Sequence, residues 1–168
     1  MDSNARIRRV RKKISQLPNK ILLAVSLLAM MACSDAGVYY SDFRSVGSGW
    51  TKDRLLRYEL PDSLPDGKSS LFVSIRHTNY YPYRNLWIVA DYVRGGRVVE
   101  SDTCNIQLAD RFGNWFGSGL GQLYQYSVAM RDNVGVDGFE EVILWHYMRC
   151  DTVTGIEDVG LSLSLDEE

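Results

Sequence analysis

Any chemistry in this chain has to come from two histidines, His77 and His146, three cysteines, Cys33, Cys104 and Cys150, and a few clustered carboxylates. The spacing of the two histidines is not that of a metal-binding motif. His146 lies in the apolar run from Val142 to Arg149 and reads as a core histidine. His77 closes a strand-like segment beside Arg76; structural hydrogen bonding is its reading, with a pH-sensitive or ligand-contacting group as the alternative. Phe116-Gly117-Ser118-Gly119-Leu120-Gly121 contains a serine between glycines. A nucleophile elbow needs a strand–turn–helix around that serine, and a phosphate cradle needs the amides of a following helix. No helical pattern follows, so this stretch reads as a flexible β-connection. Glu140-Glu141 and Glu157-Asp158 would suit a hydrolase if two carboxylates converged at about 5–10 Å. Adjacent acids are more often solvated edges. No catalytic residue, metal or cofactor is expected, and the chain does not read as an enzyme.

Cys33 stands apart because of what precedes it. Seven Lys and Arg against one acid occupy residues 1–32, and the segment from Ile21 to Ala32 is twelve residues without a charge. A bilayer span needs about 20 apolar residues, so this run has the length of a signal-peptide core with its basic flank. It ends in Ala32-Cys33-Ser34, which resembles the bacterial lipobox, although Met30 stands where Leu is usual. In such signals the thiol is acylated with diacylglycerol, cleavage makes the Cys the new N-terminus, and its amine is then acylated. The alternatives are an ordinary secretory signal or a short membrane anchor. The lipobox reading divides the chain into a removed leader, 1–32, and a lipid-anchored domain, 33–168, held outside the cytoplasm at the cell envelope, with the outer membrane as the expected location. Two or more acyl chains give a firm hold where one is marginal. That compartment also permits a Cys104–Cys150 disulfide; two buried free thiols are the alternative.

The elements that must carry these residues are strands. After Cys33 there is almost no helical period, and short runs rich in Val, Ile, Tyr, Trp and Thr recur between Gly, Pro, Asp and Asn. Strands are predicted near 38–44, 51–59, 70–77, 85–94, 97–103, 104–109, 122–130, 139–150 and 158–165. Leu71, Val73 and Ile75 share one face; Val159, Leu161, Leu163 and Leu165 share another; Val142–Arg149 is apolar on both sides and reads as a central strand. Pro61–Gly67 and Asn133–Gly138 read as turns, Arg94-Gly95-Gly96-Arg97 as a two-residue hairpin, and Asp110–Gly121 as a long irregular connection. The fold class is all-β: a single, jelly-roll-like β-sandwich.

All 19 aromatic residues fall after Cys33. Asn79-Tyr80-Tyr81-Pro82-Tyr83-Arg84-Asn85 is too polar and too rich in Tyr to be core alone, and Asp110–Phe116 is similar. Tyr, Trp and Arg are enriched at binding hot spots, so Tyr80, Tyr81, Tyr83, Arg84, Trp115 and Phe116 are candidate binding residues. Loops that fold back to plug the sandwich are the equal alternative. Rings on a sandwich also suit sugar faces. Nucleic acid is excluded as a partner, because residues 33–168 sum to −8 and phosphate needs clustered cations.

The string Arg76-His77-Thr78-Asn79-Tyr80-Tyr81-Pro82-Tyr83-Arg84-Asn85-Leu86 resembles the R-H-T-x-x-Y-P-Y-x-N-L block of the gliding-motility lipoprotein GldH family. Further stretches agree: Asp102-Thr103, then Leu108-Ala109-Asp110 and Gly113–Gly119; Tyr147-Met148-Arg149; and Gly155–Leu161. Cys33 and Trp50 also stand where the family places them. The resemblance implies a lipid-anchored envelope protein of the Bacteroidetes type, needed for gliding in members that glide, in a machinery allied to protein secretion. The family also occurs in species that do not glide. It carries over no catalytic residue. It implies a non-catalytic assembly component with envelope protein partners, a carbohydrate-binding surface lipoprotein being the alternative. Arg76, Asn85, Asp110, Trp115 and Arg149 are either contact residues or members of buried polar networks.

Overall fold

The computed structural model describes residues 37–61, 68–134 and 138–165. The expected leader, Cys33, most of the 61–67 turn, the middle of the 133–138 turn and the last three residues lie outside the described residues.

Among the described residues, alternation of apolar and polar side chains produces eleven strands: β1 (Val38–Ser45), β2 (Trp50–Thr51), β3 (Leu56–Glu59), β4 (Ser69–Thr78), β5 (Asn85–Arg94), β6 (Arg97–Gln107), β7 (Ser118–Leu120), β8 (Leu123–Val134), β9 (Glu141–His146), β10 (Thr152–Val153) and β11 (Ile156–Leu165). They form a five-stranded sheet in the order β1-β11-β4-β8-β7, a four-stranded sheet in the order β3-β9-β5-β6, and the pair β10-β2. Every pairing is antiparallel. Numbered by chain order, the eight longer strands run first, eighth, third, sixth in one sheet and second, seventh, fourth, fifth in the other. That is the strand order of a jelly roll.

One face of each sheet builds the core. Leu71, Val73 and Ile75 of β4 and Val159, Leu161 and Leu163 of β11 meet Leu86, Ile88, Ala90 and Tyr92 of β5 and Val142 and Leu144 of β9. Tyr58 crosses the gap, its hydroxyl donating to the Val159 carbonyl at 2.8 Å. At one pair of sheet edges Arg131 ties β8 to β6. Its Nε lies 2.8 Å from Asp102 Oδ2, its fork reaches Glu100, and its guanidinium covers the Tyr92 ring at 4.4 Å. The Tyr92 hydroxyl donates to the same Asp102 oxygen at 2.9 Å.

The β5–β6 hairpin turns on Gly95 and Gly96 as the sequence predicts, with φ of 56° and 72°. Both residues of such a turn need positive φ, which glycine adopts without a Cβ penalty. Other boundaries move. The two strands expected over 97–109 are one, β6. The 51–59 strand divides into β2 and β3, because Arg54 closes the bend between them by donating to the Ser45 and Val46 carbonyls at 2.8 and 2.7 Å. The 139–150 strand stops at His146. The connection at 110–121 contains the short strand β7 rather than free chain: a Cβ on Gly117 would collide with the Gln125 carbonyl oxygen, so glycine there permits close backbone packing.

Candidate functional site

The side chains best suited to chemistry are engaged in the fold. His77 is buried. Its ring stands edge-on to Trp115 at 4.6 Å, lies nearly parallel to Tyr124 at 5.7 Å and touches Tyr81 at 5.9 Å, with Nδ1 3.1 Å from its neighbour's Thr78 carbonyl. His146 is equally buried, edge-on to Trp50 at 5.3 Å. Burial holds both imidazoles below their ordinary pKa. Glu141 pairs with Arg57 at 3.0 Å and Asp158 with Arg76 at 3.6 Å. Among the described residues no group of three or more His, Cys, Asp or Glu is placed to hold a metal.

The buried histidines set a pH response. An unfolded imidazole takes a proton near pH 6.5, whereas the folded ones resist it. Their stabilising effect is complete above about pH 6.5 and is lost as pH falls toward the depressed folded pKa values. The urea midpoint is therefore expected to be lower at pH 5.5 than at pH 7.5. NMR titration should place both histidines below 6.5; normal titration of both would remove this cause.

The two aromatic loops are joined. The Arg84 carbonyl accepts from the amides of Leu108 and Ala109 at 2.8 and 3.0 Å, and the Arg84 guanidinium donates to the Arg111 carbonyl at 3.4 Å. Asp110 shapes its own turn, accepting from the amides of Phe112 and Asn114 and from the Asn114 side chain at 2.8–2.9 Å. These donors hold its carboxyl below the usual carboxylate range. Packing and exposure divide the six expected binding residues. Tyr81 is only 3% exposed. It belongs to the core as a correction to the expected contact set, with its hydroxyl donating to the Asn85 carbonyl at 2.8 Å. Trp115 is half-buried over His77. Phe116 is exposed along one edge and packs on Tyr126. Tyr80 at 73% and Tyr83 at 39% are open to solvent, as is Arg84.

Beside Tyr83 a cleft of about 690 Å³ opens, lined by Lys52, Tyr83, Asn85, Trp87, Thr103, Tyr147, Met148, Arg149 and Cys150. β5 supplies its floor. Leu86, Ile88 and Ala90 point into the core, so alternation turns Trp87 outward, where it is 38% exposed. The Trp87 carbonyl accepts from the Tyr147 amide at 2.8 Å, which docks the segment after β9 along the cleft. Tyr147 is 64% exposed and meets Trp145 at 88°. Asn85 donates to Asn105 across the hairpin at 2.6 Å. Lys52 donates to the Arg149 carbonyl at 3.3 Å. Cys104 and Cys150 are free thiols, each half-buried against the core. The pairing left open by the sequence is not formed; Cys150 instead lines the cleft, and its hydrogen bond with Tyr83 raises the Tyr83 pKa.

Three of the stretches that carry the family resemblance converge here: Tyr83 and Asn85 from the first, Thr103 from the second, and Tyr147, Met148 and Arg149 from the third. Trp87, Tyr147 and Lys52 were absent from the residues expected to bind. The alternation of β5 is the signal that exposes Trp87. The cleft lies at the end of the sandwich marked by Thr78, Asn85 and Ile156; Val38, Ser69 and Leu165 mark the other end.

Comparison with known proteins agrees over this whole domain. A family model described as GldH lipoprotein matches residues 38–163. The chain is similar to the gliding motility lipoprotein GldH of Flavobacterium johnsoniae, 25% identical over 155 residues, covering 88% of this chain and 97% of the relative. It is also similar to the gliding motility lipoprotein GldH homolog of Christiangramia forsetii, 26% identical over 152 residues, covering 85% and 93%. No solved structure matches.

Proposed function

The chain belongs to the GldH lipoprotein family, and on that premise we propose that it is an acyl-anchored envelope lipoprotein acting as a non-catalytic assembly component of a motility- or secretion-associated machinery. The observation that carries this reading is the loop end of the sandwich. Its histidines are packed into the fold, while Tyr83, Trp87, Tyr147 and Arg149 are left exposed around one cleft. These are the residue types that dominate protein interfaces. Ring pairs at this end meet at 73° and 88°, which favours a protein contact over the flat platform that a sugar face would need.

Diacylglycerol on the Cys33 thiol and an acyl chain on its amine would hold the 33–168 domain outside the cytoplasm, at the outer membrane. Confinement to a surface raises the effective concentration of the domain, so modest affinity for each partner suffices. The test is a crosslinked pull-down of the lipidated protein from native membranes, read by mass spectrometry, with Cys33→Ala as control. Recovery of envelope motility or secretion components, lost in the control, is the expected result. Recovery of polysaccharide-uptake proteins, or of glycan without protein partners, would overturn it.

A further inference from the structure

The lining of the cleft carries a charge opposite to that of the domain bearing it. From Cys33 onward the chain sums to −8. The charged residues in its lining are Lys52 and Arg149, both exposed, and the lining contains no carboxylate. Lys52 also meets the exposed carboxylate of Asp151 at 3.4 Å. Arg149, on the cleft wall, has no salt-bridge or ring partner for its guanidinium among the described residues. An acidic protein that gathers cations at one aromatic-lined recess complements an acidic ligand.

We propose that this cleft binds an extended, acidic segment of a partner polypeptide, with partner carboxylates on Arg149 and Lys52 and partner apolar side chains against Trp87, Tyr147 and Met148. The inference rests on the assembly reading above and names the chemistry of the contact. A volume of about 690 Å³ is of the size that accepts a short chain segment rather than a folded domain. Asn85 and Thr103 supply amide and hydroxyl groups for main-chain polar atoms. Arginine presenting a planar fork to carboxylates beside aromatic faces is a recurring way of reading acidic motifs.

The experiment places a photoreactive benzoylphenylalanine at Tyr147 in the full-length protein, expressed in its native envelope, and sequences the crosslinked peptides. Tyr147 is exposed, so the fold should tolerate the replacement; an unchanged thermal midpoint verifies this. One short partner segment rich in Asp and Glu is expected. Its yield should fall about tenfold or more in Arg149→Glu and fall at raised salt. Arg97→Glu, at the far hairpin, should leave it unchanged. Crosslinks to glycan, to a neutral or basic segment, or yields indifferent to Arg149→Glu would overturn the proposal. So would the absence of crosslinks from a protein that is membrane-attached and present at the normal level. Acyl labelling and fractionation of the same cells separate the two readings: unattached protein defeats the anchored-assembly reading and this one with it, whereas attached protein with a silent cleft defeats this one alone.

Discussion

Trp50→Ala is expected to destabilise the domain by about 3–5 kcal/mol, the range for removing a large buried aromatic. Trp50 is completely buried. It forms half of the short β2 strand and pairs with Val153 of β10, so its ring lies where the small two-stranded sheet meets the core. Its indole donates to the Arg54 carbonyl at 2.9 Å and its face receives the edge of His146. Alanine would leave a cavity, remove the donor from that carbonyl and open a path for water to a neutral histidine. Against a typical total stability of about 5–15 kcal/mol, a loss of this size brings the domain near unfolding at growth temperature. Trp87→Ala supplies the contrast. Its ring lies on the cleft floor, partly in water, and its loss should change stability by no more than about 1 kcal/mol. Urea titrations followed by tyrosine fluorescence and circular dichroism would measure both. Equal effects of the two substitutions would contradict the assignment of one tryptophan to the core and the other to the surface.

That contrast also marks how far the sequence could be read. Leu71, Val73 and Ile75, or Val159, Leu161 and Leu163, declare a buried face through local alternation alone, and all six are buried. The central position of Val142–His146 is likewise legible, because a strand apolar on both faces has to be covered on both; it lies between β3 and β5. Register across the sheet is a different matter. Nothing local in β1 states that it pairs with β11, more than a hundred residues away. Loop rings resist reading for the same reason. Tyr80, Tyr81 and Tyr83 are chemically alike and almost adjacent, yet Tyr81 turns inward to close a hydrogen bond on Asn85 while its neighbours face water. The cleft draws on Lys52, on Tyr83 to Trp87, on Thr103 and on Tyr147 to Cys150. No spacing rule links those four segments. Tyr83, Asn85, Thr103, Tyr147, Met148 and Arg149 belong to separate stretches of the family resemblance and Lys52, Trp87 and Cys150 to none, and the fold is what brings them to one place.

Cys33→Ala is expected to abolish acyl labelling and to remove the protein from the outer-membrane fraction almost completely, while leaving the β-domain as stable as before. The sulfur is the atom on which the proposed anchor is built. Without it no thioether to diacylglycerol forms, and because cleavage of such signals follows acylation, the leader stays attached. The retained segment carries a net charge of +6 over residues 1–32 and an apolar run of twelve residues, short of the roughly 20 needed to span a bilayer comfortably. It therefore cannot replace a multiply acylated N-terminus, for which even one lost chain weakens membrane attachment markedly. The domain should not register the change, since its family match begins at residue 38 and its core is drawn from residues 46–163. The urea midpoint should stay within the error of the wild type, in sharp contrast to Trp50→Ala. Metabolic labelling with a radioactive fatty acid, membrane fractionation and the intact mass of the purified protein together make the check. Normal outer-membrane attachment of an unlabelled Cys33→Ala protein would mean that another part of the molecule holds it to the envelope, and the acyl anchor would have to be abandoned.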